Sequence, residues 1–334
     1  MGNINLLYEN IGAFIDLNGE IHAVRHYVDN VRDEGGWDAS VAYEVVRVVR
    51  GVPMFFEDHC TRMNESLSRM NVNAQAGISA LQARITSLLL VNGIASCNVK
   101  IWAAPAAAFE PAPANTATAA ALEPTPADPA DQATAAAHGP RQSEINIFMN
   151  INKSFYPPPE YYRDGVAAGL LEYTRDAPNI KRLVAGFKER IQSMIDNEGV
   201  FEVLLYDSSR LLTEGSRSNL FFTRDGIIYT APDHMILKGT IRKYVYIAAE
   251  RAGIQIVEEP ARLDSVIEAV DANEGPGKRR GCGAFITGTS IGVLPVSTIG
   301  GCRINSEGDE VIKKLMEEYA SIEQKYINER NGQA

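Results

Sequence analysis

Three short runs in the C-terminal half combine glycine with hydroxyl and amide donors: Glu214-Gly-Ser-Arg-Ser-Asn219, Leu237-Lys-Gly-Thr-Ile241 and Thr287-Gly-Thr-Ser290. Each could hold an anion. Gly239 lets the backbone approach a ligand, and the helix start that follows it offers free N–H groups. A hydroxyl beside a glycine at a helix start is also an ordinary cap, so one such run alone says little. Three together, in a chain with neither GxGxxG nor GxxxxGK[ST], point to a phosphate held outside the dinucleotide and P-loop settings. Glu214 lies between two apolar strand-like runs, where a buried carboxylate requires a cationic partner; the alternative is a glutamate on a surface turn. For amine chemistry the residues offer Lys181, Lys188 and Lys238, each of which reads by default as an exposed salt-bridge lysine.

The elements that must position these groups follow from periodicity. Residues 41–59, VAYEVVRVVRGVPMFFEDH, read as two strands joined at Arg50-Gly51. EDHCTRMNESLSRM has helical spacing, and ISALQARITSLLLVNG (78–93) is a second helix ending on glycine. CNVKIW (97–102) is a strand. From Ala103 to Pro140 the chain is mostly Ala, Pro and Thr without a lysine or arginine, a composition that cannot bury enough apolar surface to offset its ordering entropy. Beyond it, INIFMNIN (145–152), FEVLLYD (201–207), GIIYTAP (226–232) and IQIVEE (254–259) read as strands, and AFITGTSIGVLPV (284–296) as a strand with a tight turn inside it. Helices are expected over Leu183–Asn197, 238–253 and 306–330, with a short one at DSVIEAVD (264–271). The succession predicts a mixed α/β (α+β) protein. Its units are a small N-terminal α/β domain over 1–102, an Ala/Pro-rich insert or interdomain loop over 103–143, and a larger C-terminal domain over 144–334.

Bulk properties exclude other classes. The 334 residues carry a formal charge of -10, which argues against a nucleic-acid or anionic-membrane surface. Cys60, Cys97, Cys282 and Cys302 are too scattered for a zinc site or a disulfide scaffold. No metal is expected, and reduced thiols suit a cytoplasmic protein. The N-terminus lacks a signal-peptide pattern, and no apolar run approaches the ~20 residues of a membrane span.

Order and wording together resemble a known family. Tyr43-Glu-Val-Val-Arg-Val, the His59-Cys-Thr-Arg62 step, Asn-Ile-Lys181, FEVLLYDSSRLLTEGSRSNLFF, GIIYTAPDHMILKGTIR and FITGTSIGVLPV are similar to the class IV aminotransferases. These are the fold-type-IV pyridoxal-phosphate enzymes, which include branched-chain aminotransferase, D-amino-acid aminotransferase and aminodeoxychorismate lyase. The resemblance implies pyridoxal 5'-phosphate as cofactor, a barrel-like sheet in the larger domain and a homodimer. It implies that Lys181 holds the cofactor covalently and shuttles the substrate's proton, and that Glu214 faces the pyridine nitrogen, favouring its protonated form. Arg62 matches the phosphate-binding arginine, with Met63 in place of the usual leucine. The resemblance further implies that Leu237 packs on the ring and that Ser216, Ser218, Asn219, Gly239, Thr240, Ile241 and Thr289 complete the cofactor site. The usual Gly-Ile-Thr loop here reads Gly239-Thr240-Ile241, so the backbone donors survive while the hydroxyl moves by one position.

For the substrate, the resemblance offers the Gly288-Thr289-Ser290 turn for the α-carboxylate, with Tyr43 as a further hydroxyl. The segment after CNVKIW has neither a basic residue nor a histidine until His138 and Arg141, which disfavours a D-amino-acid specialist. A transaminase acting on a branched-chain-like L-amino acid and a 2-oxo acid is therefore expected. Lys100, near a lysine seen in aminodeoxychorismate lyases, keeps lyase activity as the alternative. The variant phosphate loop and the long insert keep open a non-catalytic binding module.

Overall fold

The computed structural model describes residues 9–24, 41–72, 76–105, 145–182, 184, 186–266, 283–304 and 306–332. The expected strand pair forms as β3 (Ala42–Val49) and the short β4 (Val52–Pro53). Arg50 and Gly51 both have positive φ, 51° and 80°, the left-handed pair whose twist suits a two-residue hairpin. Burial along β3 alternates strictly, with Ala42, Glu44, Val46 and Val48 on the buried phase. That phase meets α1 (Phe56–Arg69) and α2 (Ile78–Asn92), in a core holding Met63, Leu67, Leu81 and Ile85.

β5 (Cys97–Pro105) pairs antiparallel with β3 on one side and with β6 (Ile145–Asn152) on the other. A hairpin of β1 (Phe14–Leu17) and β2 (Glu20–Ala23) completes a six-stranded sheet, ordered β2-β1-β6-β5-β3-β4. FIDL and EIHA are too short and mixed in polarity to show a strand period. Two boundaries differ from the sequence reading. β5 runs on into the first residues of the 103–143 segment, whose remainder lies outside the described residues. Ile145–Asn152, read as part of the second unit, is bonded along its length into the first sheet. Composition marked where the chain changes character, whereas hydrogen bonding decides which sheet a strand joins.

The second sheet contains β7 (Val166–Glu172), β8 (Glu202–Tyr206), β9 (Leu212–Gly215), β10 (Asn219–Arg224), β13 (Gly283–Gly288) and β14 (Gly292–Ile299). Neighbours run β10-β13-β14-β7-β8-β9, and β9 returns to β10 at Glu214↔Asn219, closing a six-stranded barrel. Leu204, Leu212, Leu220, Ile286, Leu294 and Val296 belong to its core. β11 (Ile227–Thr230) and β12 (Ile256–Glu258) extend the sheet beyond β10, and β15 (Cys302–Arg303) pairs with β14. The expected strand with an internal turn is thus two strands, β13 and β14. β7, small-residued and paired in parallel on both sides, carries no alternation by which the sequence could announce it.

A short helix, α3 (Pro159–Asp164), leads into β7. α4 (Phe187–Glu198) starts later than expected because Gly186, at φ 73°, ends the preceding loop in a left-handed turn. α5 (Thr240–Ala252) follows Gly239, and the helical residues 263–266 begin the expected short helix, the rest of which lies outside the described residues. The terminal helix α6 (Glu310–Asn331) ties the two sheets together. Its Leu315 and Tyr319 pack in the same cluster as Val245 of α5. Its Tyr326 stands edge-on to Phe55 at 4.8 Å and accepts from Phe56 N at 3.1 Å. Among the described residues no helix is long and apolar enough to cross a membrane.

Candidate active site

A cavity of about 320 Å³ opens between β3 and β5 of the first sheet and the closing seam of the barrel. Lys181 reaches it from the loop after β7, and that loop is stitched to the first sheet. Tyr43 N donates to Lys181 O at 3.2 Å, Ala42 bridges Arg182, and Lys181 N donates to the buried Ser66 Oγ of α1 at 3.2 Å. The Lys181 ammonium group sits 4.9 Å from the Tyr43 ring centre. Burial, reinforced by the Arg62 charge, brings its pKa down to about 8; a good fraction of the amine is then neutral and nucleophilic near pH 8. The rival lysines separate here: Lys238 pairs with Asp233 at 2.8 Å on the surface, while Lys188 shares the cavity.

Glu214 stands at the seam itself. Oε1 accepts from Arg175 Nε at 2.8 Å and Oε2 from Leu237 N at 3.1 Å. Burial nevertheless pushes its pKa up, outweighing Arg175, the Leu237 amide and Lys181. Arg175 also donates to Ser216 O at 2.8 Å and lies over the Phe187 ring. Nothing in the polar run Tyr-Thr-Arg175-Asp-Ala-Pro marks this arginine, and sequence reasoning missed it.

The anion-binding end lies where α5 begins. Among the described residues no side chain caps that helix, so its first-turn N–H groups can face a ligand. Thr240 Oγ1 and Thr287 Oγ1 are both buried with no hydrogen-bond partner among the described residues, and both residues line the cavity. A Cβ at Gly239 would fall 2.0 Å from Asn219 Oδ1 and would force that side chain to move. Asn219 Nδ2 donates to Leu237 O at 2.8 Å, holding the loop against β10. Arg62 reaches the same end from α1 and donates from Nη1 to Lys238 O at 3.1 Å.

Of the residues singled out by sequence for cofactor, amine or substrate chemistry, all line this cavity except Lys238 and Ser290. Ser290 Oγ accepts instead from Asn98 Nδ2 at 2.8 Å, tying the β13–β14 turn to β5. Ser216 and Ser218 line it with their hydroxyl protons already given to Glu202, at 2.5 and 2.8 Å. Glu202, a buried carboxylate under the turn, was not foreseen; it shapes the loop that carries Glu214.

On the β5 wall of the cavity, Lys100 lies 4.1 Å from the Trp102 ring centre and 5.6 Å from that of Tyr43. Burial, with Lys188 and Lys181 nearby, lowers its pKa to about 8. In a chain of net charge -10 the cavity gathers Arg62, Lys100, Arg175, Lys181 and Lys188, an arrangement suited to a small anion bearing more than one negative group. Among the described residues no group of three or more His, Cys, Asp or Glu could hold a metal ion.

Comparison with known proteins agrees with this geometry. The family model described as amino-transferase class IV matches residues 41–146 and 133–299. A putative branched-chain-amino-acid aminotransferase of Methanocaldococcus jannaschii is 35% identical over 130 residues, 38% of this chain and 41% of that protein. A D-alanine aminotransferase of Bacillus licheniformis is 23% identical over 296 residues, 86% of this chain and 89% of that protein. The chain thus spans about two-fifths of the first relative and nine-tenths of the second. The crystal structure of the Escherichia coli branched-chain amino acid aminotransferase superposes with a TM-score of 0.69 at 16% identity, covering 93% of this chain and 95% of the other.

Proposed function

We propose, from the premise that this chain belongs to the class IV aminotransferase family, that it is a pyridoxal 5'-phosphate-dependent transaminase. It moves an amino group between a branched-chain-like L-amino acid and a 2-oxo acid. One observation carries the reading: a lysine amine with its pKa lowered to about 8 shares a single cavity with a seam carboxylate and a set of unpartnered donors.

The residues fit the cofactor. Thr240, Thr287, Thr289, the first-turn amides of α5 and Arg62 would take the phosphate, and the two orphaned threonine hydroxyls match its acceptor oxygens. Glu214 would hold the proton on the ring nitrogen, oriented by Arg175 and by the Leu237 amide. When bound, pyridoxal phosphate supplies the electron sink that acidifies the substrate's Cα–H. Lys181, neutral in part near pH 8, is the base that would receive that proton and return it. Tyr43, Val45 and Ile180 give the substrate side an apolar wall, and the Gly288-Thr289 backbone would receive the α-carboxylate. Lys100 suits a partner substrate with a second carboxylate, and aminodeoxychorismate is therefore included among the test substrates. The homodimer belongs to the same reading on the family's ground and the cytoplasmic location on that of the scattered cysteines; light scattering checks the first.

The test is spectroscopic and then chemical. The purified protein should take up pyridoxal 5'-phosphate with a visible absorbance band that shifts on adding an amino donor. A panel of L- and D-amino acids and aminodeoxychorismate, read by 2-oxo acid formation, should then favour L-leucine, L-isoleucine or L-valine. A protein that takes up no cofactor would sink the transaminase reading; preferred pyruvate release from aminodeoxychorismate would replace it with the lyase.

A further inference from the structure

Behind Arg62, on the side away from the cavity, lies a carboxylate that the site as described does not use. Glu44 is fully buried and does not line the cavity. It sits on the inward phase of β3 among Ala42, Val46 and Val48, a place where a strand normally carries an apolar side chain. Its two oxygens are fully engaged. Arg62 Nε donates to Oε1 at 2.7 Å, Arg62 Nη2 to Oε2 at 2.6 Å, and His59 Nδ1 lies 2.8 Å from Oε2. His59 and Arg62 are three residues apart on α1 and so share the face turned to β3.

We infer that Glu44 is a positioning residue: it grips the Arg62 guanidinium by its rear edge and thereby aims the front of that group at the anion-binding end of the cavity. A guanidinium has five N–H bonds in one plane. Two go to Glu44 and one, from Nη1, to Lys238 O. The two that remain lie on Nη1 and Nη2. With Nε–H and one Nη2–H held by one carboxylate, the plane cannot swing without breaking a charge-assisted pair. His59 acts as a brace. Burial lowers its pKa, so it is neutral, and beside an ionised carboxylate its Nδ1 is the protonated nitrogen. It therefore donates to Oε2 and fixes the carboxylate as the carboxylate fixes the arginine. Glu44 stays ionised throughout: burial raises its pKa, but the Arg62 charge and hydrogen bonds with His59 overcome this and set it at about 2.

The inference rests on the reading that this cavity takes pyridoxal 5'-phosphate, and its test separates the two. Apoprotein is titrated with pyridoxal 5'-phosphate and with pyridoxal, which lacks the phosphate, and the ratio of the two dissociation constants is compared among variants. Wild type should prefer the phosphorylated form; if it does not, the cofactor reading fails, and this inference with it. Glu44→Gln presents an amide N–H to groups that are themselves donors, so the preference should fall by about tenfold or more, the scale of one lost charge-assisted bond. Affinity for pyridoxal should stay within about threefold. In an Arg62→Met background, which leaves no unpaired buried cation when Glu44 is also replaced, Glu44→Gln should cause no further loss of preference. Glu44→Asp keeps the charge but loses the reach, and should also lose preference. Any of three results overturns the inference: wild-type preference in Glu44→Gln, wild-type preference in Glu44→Asp, or an equal further loss in the Arg62→Met background. Parallel weakening of both ligands with a lowered melting temperature would make the pair purely structural.

Discussion

Two glutamate–arginine pairs with buried carboxylates flank one cavity and differ in what they leave unsatisfied. Glu44 takes two N–H bonds from Arg62 and a third bond from His59, and its pKa is lowered to about 2. Glu214 takes one bond from Arg175 and one backbone amide, and its pKa is raised. Desolvation acts on both; the difference lies in how many donors oppose it. The first pair is closed. The second has spare capacity for a cationic partner arriving from the cavity, which is the place a protonated pyridine ring would take. On the proposed reading, one pair orients an arginine and the other would receive a charge.

Mutations can break this comparison, beginning with the residue that lies between the pairs. Lys181→Ala should lower transaminase turnover by about 10⁴-fold or more, the upper range for loss of an acid–base group, with circular dichroism unchanged; substantial remaining turnover would show the lysine misassigned. Glu214→Gln should lower turnover by about 10²-fold or more, the scale for removing one preorganised charge partner, while leaving cofactor uptake in place. Arg175→Met should have a smaller effect, about tenfold, because Leu237 N still holds Glu214; Glu214's pKa would rise further, and turnover should become more dependent on high pH. A larger loss than in Glu214→Gln would show that Arg175 touches substrate.

Two finer measurements use pH. Lys181 is protonated below about pH 8, so the rate of cofactor uptake should rise with pH to a plateau above that value. Arg62 lowers this pKa, so Arg62→Met should move the midpoint upward; an unmoved midpoint would mean that the arginine charge is not felt at the amine. The smallest effect concerns Glu44. Its folded pKa of about 2 lies below the ordinary 4.5, so its contribution to stability is complete above 4.5 and is lost as pH falls through 2. The melting-temperature gap between wild type and Glu44→Gln should therefore be constant from pH 8 to 5 and narrow below about pH 4.

The glycine–hydroxyl runs at 214–219, 237–241 and 287–290 were legible because their chemistry is local: backbone donors, a helix start and a glycine with no room for a Cβ. Glu44 was legible in principle, since a carboxylate on the inward phase of an alternating strand breaks the apolar pattern of its neighbours. Arg175 was not, for it lies in an irregular loop and its partner is 39 residues away. The serines at 216 and 218 were read as donors to a cofactor; their partner Glu202, on another strand, takes both protons. The side chain of Ser290 was illegible for a similar reason, because its bond to Asn98 joins positions 192 residues apart.

The sequence by itself determined the family, the strands and helices with a clear period, and the anion-binding runs, since each depends on residues within a few positions of one another. The tertiary structure alone decided that Lys181 lies within electrostatic reach of Glu214, which arginine serves which glutamate, and that the barrel closes at Glu214↔Asn219. Those outcomes depend on charges and hydrogen-bond partners far apart in the chain, whose encounter no local spacing records.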